Sequence, residues 1–195
     1  RTKYLHSYIF SDFDFFDLLK NKFVDKTYVG RERWQYRYGH ISKLVNNQII
    51  VHGGISEEGK VLNDTFLISL TPFKILSCKI HIDYPGPFLT GHCDALAIPC
   101  EVLNNPRLGV YKMPDVPFGK RINLKLRQKG WYVFGGKNQN GEVQNTLYLL
   151  ALGERPLKWC AVETNGIKPV PRYDATLNFY EKGNALILFG GRNDK

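Results

Sequence analysis

The chain has 195 residues, with 27 Lys and Arg against 18 Asp and Glu, a formal net charge of +9. With 43% hydrophobic and only 23% charged residues it carries enough apolar side chain to build a core, which excludes wholesale disorder. The length fits one domain or at most two, and no apolar run approaches the roughly 18 residues of a membrane-crossing helix.

In chain order, residues 1–35 stand apart from the remainder of the chain. Tyr4 to Phe10 reads as a strand. Ser11 and Asp12 are placed to cap a helix carrying Phe13, Phe16, Leu19, Lys20 and Phe23 on one face. One short N-terminal helical segment is therefore expected, packed on the main body or offered to another chain.

From residue 36 a repeat begins. Three short apolar runs, 48–52, 130–134 and 185–189, each end at paired glycines: Gly53-Gly54, Gly135-Gly136 and Gly190-Gly191. Such runs are too short for helices and read as buried strands. The first two copies align without gaps at an offset of 82: Gly59 with Gly141, Val61 with Val143, Asn63 with Asn145, Leu67 with Leu149 and Cys78 with Cys160. After the glycines come a polar loop, a strand (65–70 or 146–152), a fourth strand (75–82 or 158–164) and a Pro-rich connector. A short strand also precedes each glycine pair. Four antiparallel strands per unit, repeated, is the signature of a propeller blade.

These residues resemble kelch repeats, the second unit most closely: Trp131-Tyr132-Val133-Phe134-Gly135-Gly136, then Asn145-Thr146-Leu147-Tyr148, Lys158-Trp159 and Pro171-Arg172-Tyr173. The resemblance covers roughly residues 36–195. It implies an all-β fold, a kelch-type β-propeller of four-stranded antiparallel blades. Ser77 stands where the second unit has Trp159, with Ile75 or Leu76 placed to fill the gap, and Asp174 stands where the first unit has Gly39. The paired glycines give the chain room to bend, and Trp159 is expected to pack on bare backbone beside them. Two units and half of a third are visible. A closed propeller needs at least four, so the chain is expected to be a piece of a larger protein.

The second unit holds an insertion near 99–128, with one short strand at 121–126. It is rich in Arg107, Lys112, Lys120, Arg121 and Lys125, a second basic contact loop. The resemblance brings the loops after the paired glycines and the inter-unit connectors to one rim. On this sequence that rim holds Arg37, Glu57, Lys60, Lys137, Asn138, Arg172 and Arg192, a surface for a protein partner with an acidic face. The insertion belongs on the opposite side.

Catalytic constellations are absent from the sequence. His6, His40, His52, His81 and His92 show no HxxxH or HExxH spacing, and no GxSxG, GxxxxGK[ST] or GxGxxG occurs. His40 and His92 recur at one repeat position, which points to structure. Cys78, Cys93, Cys100 and Cys160 form no CxxC pair, so neither a metal site nor a disulfide framework is expected. The thiols read as reduced and buried, in keeping with a cytoplasmic setting. Arg107, Tyr111, Lys112, Phe118 and Lys120 interleave basic and aromatic residues, but nucleic acid is not the expected partner. The expectation is a non-catalytic scaffold or adaptor without cofactor, part of a larger assembly. The alternatives are a regulatory propeller of a larger enzyme and, lower, a copper-oxidase-type propeller.

Overall fold

The computed structural model describes residues 9, 13–25, 35–76, 80, 85–97, 111–112, 123–124, 130–152, 156–183 and 185–194. All extended elements there are β-strands, and no helix occurs among them. The expected N-terminal helix is instead a hairpin, β1 (Phe15–Asp17) paired antiparallel with β2 (Lys22–Val24). The Asp17 carboxylate accepts hydrogen bonds from the N–H groups of Leu19 and Lys20 at 2.9 and 3.1 Å, and Asn21 takes a φ of 49°. A side chain that captures nearby backbone donors, followed by Asn in the left-handed region, turns the chain back where a helix would continue. Phe13 and Phe15 then meet Phe73 edge-on, with ring centroids 5.2 and 5.0 Å apart. The strand expected at 4–10 lies, except for Ile9, outside the described residues.

The first unit is entered by β3 (Arg37–Tyr38). Its sheet has the order β4 (Ile41–Val45), β5 (Gln48–His52), β7 (Thr65–Leu70), β8 (Phe73–Leu76). After Gly53-Gly54, the short β6 (Ile55–Ser56) returns to pair with β3. The second unit repeats this order with β9 (Cys93–Ala97), β12 (Gly130–Phe134), β13 (Leu147–Ala151) and β14 (Lys158–Val162). Between its first and second strands, β10 (Tyr111–Lys112) pairs with β11 (Asn123–Leu124). The third unit is the pair β15 (Tyr173–Tyr180) and β16 (Ala185–Arg192).

Register shows how far the repeat extends. Ile50 faces Leu67 as Tyr132 faces Leu149, which keeps the offset of 82 through the second and third strands. The fourth strand slips by two: Ile68 faces Ile75, whereas Leu150 faces Trp159. Ile75 therefore takes the Trp159 position in the first unit. Leu76 stands opposite Leu67 as Cys160 stands opposite Leu149, so the Cys160 position is taken by Leu76 in the first unit; Cys78 lies outside the described residues.

The units stack face against face. Ile50 and Ile41 of the first unit meet Trp131, Val133, Leu150 and Trp159 of the second. Cys93, Ala95 and Phe134 of the second meet Leu177 of the third. Val51, Ile68 and Phe73 on the other side of the first unit are met by Phe13 and Phe15. Trp131, Val133, Leu149 and Leu150 are wholly buried, and each large apolar side chain so placed stabilises by about 1.5–3 kcal/mol. The described units do not close into a ring.

Candidate functional site

Each pair of stacked units is stitched together at its paired glycines. Gly54 N–H donates to Leu89 O at 3.1 Å, and Gly136 N–H donates to Arg172 O at 2.9 Å. The accepting residue in each case enters the next unit. A Cβ on Gly53 would fall 2.6 Å from that same Leu89 carbonyl, and one on Gly136 would fall 2.7 Å from Thr90 O. Both glycines also have left-handed φ, 66° and 85°. The bare backbone thus admits a neighbouring carbonyl rather than the expected indole. Trp159 lies instead on the His52 ring, with centroids 4.4 Å apart, and donates Nε1–H to Thr65 Oγ1 at 3.0 Å.

The seven rim residues do not form the open charged mouth expected from sequence. Arg37 is 4% exposed. Its guanidinium donates to both Asp64 carboxylate oxygens at 2.7 and 2.8 Å, to Gly53 O at 3.0 Å and to Gln35 O at 3.3 Å. Arg172 repeats the pattern from the third unit, donating to Gly190 O at 2.9 Å and Val170 O at 3.2 Å. Both arginines are clamps on the polypeptide. The sequence placed them correctly along the chain, but it did not show that the side chains fold back onto the paired glycines.

Lys137 and Arg192 do come together. They lie against the Tyr173 ring, 4.0 and 4.7 Å from its centroid. Tyr173 Oη donates to Asp194 at 2.6 Å, and the same carboxylate pairs with Lys137 at 2.6 Å. Lys137 and Tyr173 hold the Asp194 carboxyl below its ordinary pKa. Arg192 pairs with Asp174 at 3.0 Å. Asn138 shapes its own loop: its Oδ1 accepts from the N–H groups of Asn140 and Glu142, and its Nδ2 donates to Glu142. Lys60 pairs with Glu58 at 2.8 Å, which raises the lysine pKa, and Glu57 is exposed. Arg37, Lys60, Lys137 and Arg192 thus each have a carboxylate within 3.0 Å. Among the described residues Arg172 meets carbonyl oxygens alone. Asp64 and Asp194 were missed from sequence, whereas Tyr173 and Asp174 were named there only as parts of the repeat; Asp64 had a signal, being the carboxylate the first unit carries where the second has Thr146.

Of the basic contact loop, Arg107, Lys120, Arg121 and Lys125 lie outside the described residues. Lys112 lies in β10.

Between the first and second units lies a buried group of histidines. His52 Nδ1 is 2.9 Å from Thr65 Oγ1, and its Nε2 is 3.0 Å from Pro87 O. His92 stands 6.1 Å from it, ring to ring, and neither of its nitrogens meets a hydrogen-bond partner among the described residues. Burial pushes the His52 pKa down to about 4. Burial, followed by the nearby His52 and His40, pushes His92 down to about 3. His40 is lowered too, by burial and by Arg37. Among the described residues no group of three or more His, Cys, Asp or Glu is placed to hold a metal ion. No helix among them is long and apolar enough to cross a membrane.

No family model matches the chain. It is 26% identical over 180 residues to an F-box/kelch-repeat protein of Arabidopsis thaliana, covering 87% of this chain and 32% of that one. It is 29% identical over 154 residues to Adagio-like protein 3 of Oryza sativa subsp. japonica, covering 76% and 20%. A shorter match, 34% over 73 residues, reaches V(D)J recombination-activating protein 2 of Oncorhynchus mykiss, covering 33% and 14%. The solved structure of YjhT superposes with a TM-score of 0.59 at 10% identity, covering 90% of this chain and 49% of that one. The chain therefore spans a third or less of these curated relatives' length and about half of YjhT. The fold is kelch-like, an all-β stack of antiparallel units that leaves the ring open.

Proposed function

We propose that the chain is a non-catalytic protein-interaction module, a kelch-type propeller segment serving as a scaffold or adaptor in a larger assembly. The observation that carries this reading is the similarity to kelch-repeat relatives over 87% of the chain, joined to a rim built from repeated loops on a rigid β base. The loops at 55–60 and 137–142 present Glu57, Glu58, Lys60, Gln139, Asn140 and Glu142 to solvent. With Arg37, Lys60, Lys137 and Arg192 paired within the chain, this rim suits a polypeptide read by hydrogen bonds and shape more than by net charge.

The test is cross-linking mass spectrometry of the tagged chain in cells of its source. The wild type is compared with Glu57→Arg/Lys60→Glu/Asn140→Arg, three exposed positions whose replacement leaves the core untouched. Loss of the cross-linked partners in the variant supports the rim. An unchanged partner set overturns it.

A further inference from the structure

The sequence holds two Asn-Gly pairs, Asn140-Gly141 and Asn165-Gly166. A glycine after an asparagine has no Cβ, so its backbone nitrogen reaches the asparagine side-chain carbonyl carbon without the hindrance a side chain would bring. Both glycines take a left-handed φ, 76° and 80°, and a Cβ on either would meet nothing within 4 Å. Local crowding therefore does not separate the two pairs. Their hydrogen bonds do.

Asn140-Gly141 is tied into the tight loop at 137–142. Gly141 N–H donates to Asn138 O at 3.0 Å, and Asn138 N–H donates to Glu142 O at 3.0 Å. Asn138 Oδ1 accepts from the N–H groups of Asn140 and Glu142 at 2.9 and 3.0 Å. The Gly141 nitrogen is thus occupied, and the chain on both sides of Asn140 is pinned. Asn165-Gly166 lies in the connector between β14 and β15, where 165–170 are all exposed. The connector is anchored at Val162, paired with Leu147, and again at Pro169, whose carbonyl accepts from Asn145 Nδ2 at 3.2 Å. Between those anchors, neither the Gly166 N–H nor the Asn165 carboxamide meets a hydrogen-bond partner among the described residues. The surface position of the connector does not hinge on the third unit. Pro85, which the offset of 82 matches to Ile167, is exposed although a four-stranded unit follows it.

We propose that Asn165 is a self-modification site that deamidates through its own backbone, while Asn140 in the folded chain keeps its amide. The Gly166 nitrogen gives its proton to solvent base and attacks Asn165 Cγ. The new C–N bond closes a five-membered succinimide, and the side-chain nitrogen leaves as ammonia. Water then opens the ring at either carbonyl, giving aspartate or isoaspartate, in which the main chain runs through the former side chain. No electron is transferred, and water is the co-reactant. The product places a carboxylate in the connector that leads into Arg172, and the net charge of +9 falls by one. This inference stands apart from the partner reading of the rim.

The test holds the folded 195-residue chain in mildly alkaline buffer and follows its peptides by mass spectrometry, with electron-transfer fragmentation to tell isoaspartate from aspartate. Conversion at Asn165 is expected to run at least about tenfold faster than at Asn140, which must first break the bonds that pin its loop. In urea the two are expected to convert at similar rates. Asn165→Gln is expected to abolish the main acidic species on ion exchange, because closure would then need a six-membered ring. Asn138→Ala releases two N–H groups of the tight loop and is expected to speed Asn140 while leaving Asn165 unchanged, with circular dichroism reporting that both variants are folded. The proposal is overturned by a folded chain in which Asn140 keeps pace with Asn165, or in which Asn165 stays an amide while urea converts it. An acidic species that survives Asn165→Gln, or an Asn140 rate unmoved by Asn138→Ala, overturns it as well.

Discussion

Acid should loosen the junction between the first and second units well before the carboxylates titrate. His52 and His92 are held neutral by burial, with pKa values near 4 and 3 against 6.5 when exposed. A group whose folded pKa is depressed leaves stability intact above the unfolded value and erodes it as pH falls toward the folded one. The window here therefore opens at about 6.5 and runs down to about 4. Well inside it each pH unit costs on the order of 1 kcal/mol per histidine, so lowering pH from 6.5 to 5 is expected to remove roughly 3 kcal/mol through the pair. His40 shifts the same way and adds to the loss. Urea unfolding followed by tryptophan fluorescence suits the measurement, since Trp159 stacks on His52 and Trp131 lies 6.0 Å from Trp159. His92→Leu removes one titration and should cut the slope between pH 6 and 5 by about 1 kcal/mol per pH unit. Stability that is flat from pH 6.5 to 5, or a slope unaltered by His92→Leu, would refute the buried-neutral assignment.

Gly136→Ala should destabilise by about 2–4 kcal/mol, because the new Cβ meets Thr90 O and His92 at a left-handed φ. Gly141→Ala, at φ 76° but with nothing within 4 Å, should cost only about 1–2 kcal/mol; equal losses in thermal melts would show that the carbonyl approach does not matter. Arg37→Met leaves Asp64 and Gly53 O unpaired, and with Asp64 half exposed the expected loss is about 2–3 kcal/mol. Arg172→Met, whose side chain holds only two exposed carbonyls, should lose under about 1.5 kcal/mol by the same denaturant assay. Trp159→Phe forfeits the bond to Thr65 and part of the His52 stack, for an expected cost of about 1–2 kcal/mol, and a neutral result would put the stabilisation in burial alone.

The paired-glycine strands were legible because identity and alternation agreed over a long span: residues 48–52 and 130–134 are strands with the same register to their neighbours. The N-terminal hairpin was not. Phe13, Phe16, Leu19 and Phe23 satisfy a helical period, while Phe13 and Phe15 satisfy a strand period equally well. What decided between them was the Asp17 carboxylate capturing two backbone N–H groups, together with the shelter Phe73 gives Phe13 and Phe15. Both are contacts that residue spacing does not encode. The rim was legible as a set of loops and illegible as a set of charges. Lys137 reaches Tyr173 only because the units stack, and its carboxylate partner Asp194 lies 57 positions away.

The entering position of each unit explains why some of those charges turn inward. Its backbone carbonyl, on Leu89 or Arg172, accepts from the second glycine of the preceding unit. Its side chain, on Arg37 or Arg172, donates to the first glycine carbonyl of its own unit. The second unit keeps the carbonyl and changes the side chain: Leu89 is 2% exposed within the cluster that joins the first two units. The Asp64 position changes with it, to Thr146, so no carboxylate is left without its cation. A buried ion pair gives little net stability over apolar packing, whereas half of one is costly. The exchange of Arg and Asp for Leu and Thr is therefore neutral only when both positions change. In the first unit the clamp is a two-residue element, Arg37 received by Asp64, whereas Arg172 clamps the third unit through carbonyl oxygens alone.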